Sequence, residues 1–274
     1  MTTRRPPAVA GMFYEAQPER LRAQLARCYA RVDKGPREAM IGGVVPHAGL
    51  MYSGHVAAAL YATASLPPRI IILCPNHTGA GRPAAINQKG EWLMPFGPVP
   101  IDDELAGELM AECALLENDF RAHADEHSLE VQLPFLQQEV PSFRFVPICL
   151  GARKFDWCQD IGGAIARVVA RHRAKGEEIV ILASSDLNHY EDQETTLKKD
   201  QRAIDQVLAL DARRLWDVVE TEDISMCGVI PTTAMLIAAR ELGARSARLV
   251  RHATSGDING DYSGVVGYAS ILVS

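Results

Sequence analysis

Long apolar runs, paired cysteines and nucleotide-loop glycines are all missing from this 274-residue chain. No stretch approaches the roughly 20 apolar residues that span a bilayer, so no membrane helix is expected. Six cysteines (Cys28, Cys74, Cys113, Cys149, Cys158, Cys227) lie scattered with no CxxC pair. That spacing argues against a disulfide framework and against a zinc ribbon. No long apolar stretch follows Arg4-Arg5-Pro6-Pro7, so no secretory signal is expected and the setting reads as cytoplasmic and reducing. GxGxxG, GxxxxGK[ST] and GxSxG are absent too, which removes the usual signatures of nucleotide binding and of the α/β-hydrolase mechanism. Cations are in deficit, with a net charge of −6, and this disfavours a nucleic-acid surface. No linker, repeat or low-complexity tract interrupts the chain, so one domain over 1–274 is expected.

What is present is an alternation of buried-strand and helix patterns. Continuous apolar runs at Met40 to Val45, Ile70 to Cys74, Phe143 to Leu150 and Glu178 to Ala183 read as strands buried on both faces. Ala247 to His252 and Gly264 to Leu272 read as two more strands near the end of the chain. Helices are expected over Pro18 to Val32, Gly54 to Thr63, Asp102 to Glu112, Asp156 to Lys175, Thr195 to Ala209, Ala212 to Thr221 and Pro231 to Leu242. A further helix over Ser128 to Gln138 is divided or bent by Pro134. Ala84 to Pro100, with Gly90, Gly97 and three prolines, suggests a hairpin. Strands alternating with helices imply a layered α/β fold.

Polar motifs follow these runs. Pro46-His47-Ala48-Gly49 and Pro75-Asn76-His77-Thr78-Gly79 each end a strand, as does Ser184-Ser185-Asp186-Leu187-Asn188-His189. The carboxyl ends of strands in an open α/β sheet line one crevice, where ligands bind. Converging imidazoles there, with a thiolate, would make a metal site. The plain alternative is a turn histidine that only bonds a neighbouring loop. Asp186 either fixes the His189 ring, faces the crevice with it, or caps the turn after Ala183. Cys227, in Ser225-Met226-Cys227-Gly228 before a Pro231-led helix, would have its thiolate favoured by a helix N-terminus, or is a buried structural thiol. His127 and Glu130, in Glu126-His127-Ser128-Leu129-Glu130, form a further cluster, for which an ordinary helix start also accounts. His55, His123, His172 and His252 show nothing beyond surface or helix chemistry.

Taken in order, these motifs resemble the Memo family, the B component of the AmmeMemoRadiSam system. The likeness runs from Arg5-Pro6-Pro7-Ala8-Val9-Ala10-Gly11-Met12-Phe13-Tyr14 through the His47, His77, His127 and Asp186/His189 motifs. It continues to Met226-Cys227-Gly228 and Asp261-Tyr262-Ser263-Gly264. The resemblance implies a three-layer α/β/α domain around a largely parallel mixed sheet, like the class III extradiol dioxygenases. It puts His47 and His77 in the places of two metal-binding histidines, and His189 in that of an acid–base histidine; Asp186 and His127, read from the residues, complete the expected catalytic set. Cys227 falls where the dioxygenases have a ligating Glu, which shifts preference toward softer metals. One metal ion, iron(II) or copper, with zinc as a further choice, is therefore implied, in a redox or dioxygenase-like role. Metal-assisted hydrolysis with His189 or Glu130 as base is another reading. A non-catalytic binding or signalling-adaptor module, taking a peptide or small molecule in the same crevice, is a third. Association with AMMECR-like and radical SAM proteins of the same system is also implied.

Overall fold

The structure, a computed structural model, describes residues 3–32 and 35–274. Its centre is a nine-stranded mixed sheet. The strands that matter most are β1 (Gly42–Val45), β2 (Arg69–Pro75), β3 (Ala84–Ile86) and β4 (Arg144–Leu150). With them run β5 (Val180–Ser184), β6 (His189–Glu191), β7 (Ala247–Thr254) and β8 (Val265–Val273). The spatial order is β6-β8-β1-β5-β2-β4-β3, with β7 on β8 and a ninth, two-residue strand at Glu117–Asn118 outside β3. β1, β5, β2 and β4 are parallel to one another, and β8 and β3 close the block with antiparallel pairings.

The strands alternate between two cores, as their unbroken apolar runs require. Ile71 and Leu73 of β2 face one core while Ile70, Ile72 and Cys74 face the other. The first core is covered by α3 (Asp103–Glu112), α5 (Phe155–Arg173), α7 (Ala212–Thr221) and α8 (Val229–Glu241), and is reached also by α6 (Gln193–Leu208). The second lies under α1 (Pro18–Tyr29), α2 (Leu50–Thr63) and α4 (Leu133–Glu139). This is the expected three-layer α/β/α arrangement.

Most helices and strands shift by only one to four residues from the pattern reading. α2 begins at Leu50, four residues before the expected start at Gly54. Pro134 does divide its segment, into a 3₁₀ turn at Glu130–Gln132 and α4. The expected hairpin is present at Glu91–Met94 and Gly97–Pro100, and Arg4–Arg5 adds a third strand to it. Three of the histidines read as carrying only surface or helix chemistry lie in the core: His123, His172 and His55 are 0%, 2% and 6% exposed.

Chain order creates the crevice. From β1 the chain crosses through α2 to β2, two places away, and α2 lies on one face. It returns from β4 through α5, on the other face, to place β5 between β1 and β2. Such a reversal is a topological switch point, where the loops beyond the strand ends part and leave a cleft. His47, His77 and Asp186 all sit on those loops.

Candidate metal centre

The loops after β1 and β2 and the turn before α8 bring His47, His77 and Cys227 together. Their ligand atoms all lie within 4.8 Å of one another. His47 Nε2 is 3.3 Å from Cys227 Sγ. The two imidazole rings are 5.2 Å apart and nearly perpendicular.

Each imidazole is held by a specific acceptor. His47 Nδ1 is 3.0 Å from Ser184 Oγ. That hydroxyl already donates to the Ser128 carbonyl and accepts from Gln132 Nε2, so its remaining lone pair accepts a hydrogen bond from His47 Nδ1–H. Gln132 is fixed in turn, donating to the Pro46 carbonyl and accepting from the Tyr61 hydroxyl. His77 Nδ1 is 2.9 Å from Glu126 Oε1, and Glu126 also accepts from the His77 backbone N–H. The His77 and Ser128 bonds hold the Glu126 carboxyl down to about 2, against a burial that pushes the other way. Both rings therefore carry Nδ1–H and turn the Nε2 lone pair toward the cleft.

His189 follows the same rule with a different partner. Its Nδ1 donates to the Ser225 carbonyl at 2.9 Å, and its backbone N–H to Ser225 Oγ at 2.7 Å. Asp186 does not orient it. Asp186 Oδ1 accepts from the His47 backbone N–H at 2.7 Å, and Oδ2 lies 3.9 Å from His47 Nε2. Burial pushes Asp186 up to about 7, although N–H groups of His47 and Ala48 pull it down. Burial also lowers the His47, His127 and His189 imidazoles below their ordinary range. His127 stacks on His77 at 4.7 Å and packs against Phe13.

Two expectations change. Cys227 does precede the N-cap of α8, yet its thiol is pushed up rather than down, because burial and the nearby Asp186 outweigh the helix N-terminus. Glu130 is not available as a base. It is wholly buried and accepts from Arg5, Tyr14 and the backbone N–H groups of Ala8 and Val9. Its work is to tie down the N-terminal segment that carries Met12 and Phe13. Glu126, Ser184, Gln132 and Ser225 were not singled out from the sequence. The Glu126-His127 adjacency was the one available signal, since a carboxylate beside histidines is a common orienting device.

The cleft above these groups has a volume of about 700 Å³. His47, His77, His127, Asp186, His189 and Cys227 all line it, so of the candidates only Glu130 lies outside it. The Memo-like protein family model matches residues 5–272. The chain belongs to the Memo family. It is 43% identical to a MEMO1 family protein of Methanopyrus kandleri, over 98% of both chains. It is 44% identical to one of Sulfolobus acidocaldarius, over 97% of both. A MEMO1 family protein of Methanocaldococcus jannaschii is 41% identical, over 97% of this chain and 98% of its own. No helix among the described residues of this Memo-family protein is long and apolar enough to cross a membrane.

Proposed function

We propose that this Memo-family protein binds one metal ion through His47 Nε2, His77 Nε2 and Cys227 Sγ. The metal then serves redox or dioxygenase-like chemistry on a small ligand in the cleft. The supporting observation is the fit of the donors. A nitrogen and a sulfur sharing a tetrahedral metal stand about 3.5 Å apart, from bond lengths of about 2.0 and 2.3 Å. The 3.3 Å between His47 Nε2 and Cys227 Sγ matches this. Three protein donors leave positions open, as a catalytic metal needs. Two imidazoles and a thiolate suit iron, copper or zinc. When bound, such a metal polarises a ligand oxygen and, as iron or copper, exchanges single electrons.

The chain's own groups do the rest. His189 is neutral near pH 7, because burial lowers it, so its Nε2 accepts a proton from a ligand hydroxyl. Asp186, raised to about 7, holds or releases a proton near neutrality, while its N–H bonds keep the His47 backbone in place. His127 and Phe13 close one wall. A binding-module reading draws support from the rim, where Met12, Met51 and Tyr190 are 69%, 64% and 82% exposed. Exposed apolar side chains around one cleft suit a ligand or peptide contact.

Anaerobic purification and elemental analysis test the metal reading, on the native protein and on Cys227→Ala and His47→Ala. About one equivalent of metal, lost in both variants, is expected. No metal in the native protein after reconstitution would overturn it and leave the binding module. Ligand binding that survives chelation would point the same way.

A further inference from the structure

A second, smaller pocket opens beside the metal cleft and shares Met51 as a wall. Its volume is about 220 Å³, and Gln24, Arg27, Cys28, Arg31 and His55 line it. The pocket exists because α1 and α2 approach closely. A Cβ on Gly54 would meet Cys28 Sγ at 2.6 Å, so a side chain there would force the helices apart. Arg31 follows just past the end of α1, while Gln24, Arg27 and Cys28 recur at three- and four-residue steps and so share one face of that helix. Met51 and His55 do the same on α2. Arg251, from β7, adds a third guanidinium by donating to the Arg31 carbonyl.

This gathering of like charge is unusual in a chain of net charge −6. Many arginines elsewhere have carboxylate partners, as in Arg69 with Asp102, Arg171 with Glu112 and Arg202 with Glu222. Among the described residues, Arg27, Arg31 and Arg251 have no carboxylate within 4.0 Å. Asp257, the acid facing His55, is engaged by the Thr254 backbone N–H at 2.8 Å. The C-terminus of α1 favours cations and accounts for Arg27 and Arg31; it does not account for Arg251, which comes from another element. The consequence is a positive field at the back of the pocket. Burial, Arg251 and Arg31 together hold the His55 imidazole down to about 4.

We propose that this pocket binds an anionic group, a carboxylate or a phosphate, through Arg27 and Arg31, with His55 at its back. Guanidinium groups recognise either oxyanion through paired N–H donors. Since Met51 separates this pocket from the cleft, one molecule reaching past Met51 places its acidic end here and its reactive end near His47 and Cys227. That extension rests on the proposed metal function; the anion site itself does not.

Calorimetric titration of the full-length, metal-free protein tests the site, with inorganic phosphate and acetate in separate arms at constant ionic strength. Saturable binding in the millimolar range or tighter is expected for at least one anion. The tighter of the two shows whether the natural ligand is phosphorylated or carboxylic. Arg27→Gln/Arg31→Gln, both exposed positions, should weaken binding by about tenfold or more, and His47→Ala should leave it unchanged. A second readout uses the native chain alone: the His55 ring, followed by NMR, should titrate at higher pH when the anion is present. Absence of saturable binding, binding that survives in the double variant, or loss confined to His47→Ala would each overturn the proposal. Because no metal is used, failure here leaves the metal reading standing, and failure of metal binding leaves this one standing.

Discussion

At the scale of single residues, one device recurs three times. His47, His77 and His189 each give Nδ1–H to a fixed acceptor: Ser184 Oγ, Glu126 Oε1 and the Ser225 carbonyl. Each ring is thereby confined to one tautomer and one orientation, with Nε2 left for the cleft. The acceptors differ in charge, and the chemistry follows the difference. Anionic Glu126 makes His77 a stronger electron donor, whereas the neutral carbonyl leaves His189 a weaker base. Ser184→Ala should lower metal affinity by about 10- to 100-fold without unfolding the protein, which chelator competition measures. Glu126→Gln should do the same and also loosen the His77 turn, since two of its bonds reach that one residue. Unchanged affinity in both variants would show that tautomer control is not how these rings are prepared.

At the scale of elements, two contacts set the walls of the site. One is the N-terminal segment, fastened by the buried Arg5–Glu130 pair, with Arg5 also donating to the His123 and Glu126 carbonyls and covering the Trp92 ring at 3.9 Å. Breaking such a pair strands a buried charge, so Arg5→Met should cost about 3–5 kcal/mol, seen as a lower urea midpoint. It should also free Phe13 from His127 and widen the cleft. The other is the start of α8, packed on the end of β5. A Cβ on Gly228 would stand 2.2 Å from Ser185 Cβ and 2.6 Å from the Ser184 carbonyl. Neither is a flexible side-chain end, so Gly228→Ala should displace the Cys227 turn. Thermal melting and metal content should fall together; a variant with native metal content would detach the turn's position from ligation. Tyr190 carries a related mark: its φ of 62° is rare for a bulky residue, and such strain concentrates where a side chain must be presented.

At the scale of the whole molecule, the buried histidines set the response to acid. Burial depresses His47, His55, His123, His127 and His189, with His55 near 4 and His123 near 3. Below about pH 6.5 the unfolded chain binds protons at these sites and the folded one does not, so stability falls with pH. Each such group contributes at most about 1.4 kcal/mol per pH unit. Asp186 opposes this, since its raised value makes the folded state the better proton binder from about pH 4 to 7. Five groups against one decide the sign. The urea midpoint of metal-free protein should drop between pH 7 and pH 5, and a constant or rising midpoint would contradict these burials.

The layered architecture is legible in the chain alone, because continuous apolar runs and 3.6-residue periods are local and both faces of the central strands had to be apolar. It also located His47, His77 and Asp186, since residues that end strands of a parallel sheet share one edge whatever the strand order. Cys227, about 180 residues from His47, was a candidate from its place before a helix and took a ligand's place only through the family likeness, and the match over residues 5–272 establishes that family. Partnership between side chains came from the folded arrangement instead. One of the readings open for Asp186 pairs it with His189, three residues away, yet it serves His47 because β5 lies beside β1. Ser225 takes the His189 ring instead. Glu130 looks like a helix-start acid, but Arg5 crosses 125 positions to neutralise it. The acidity of Cys227 likewise reversed, because a helix end acts over one turn while burial and Asp186 act on the thiol directly. Patterns in a chain report which surface of an element is buried; they do not report which other element buries it, and the chemistry of this cleft depends on the latter.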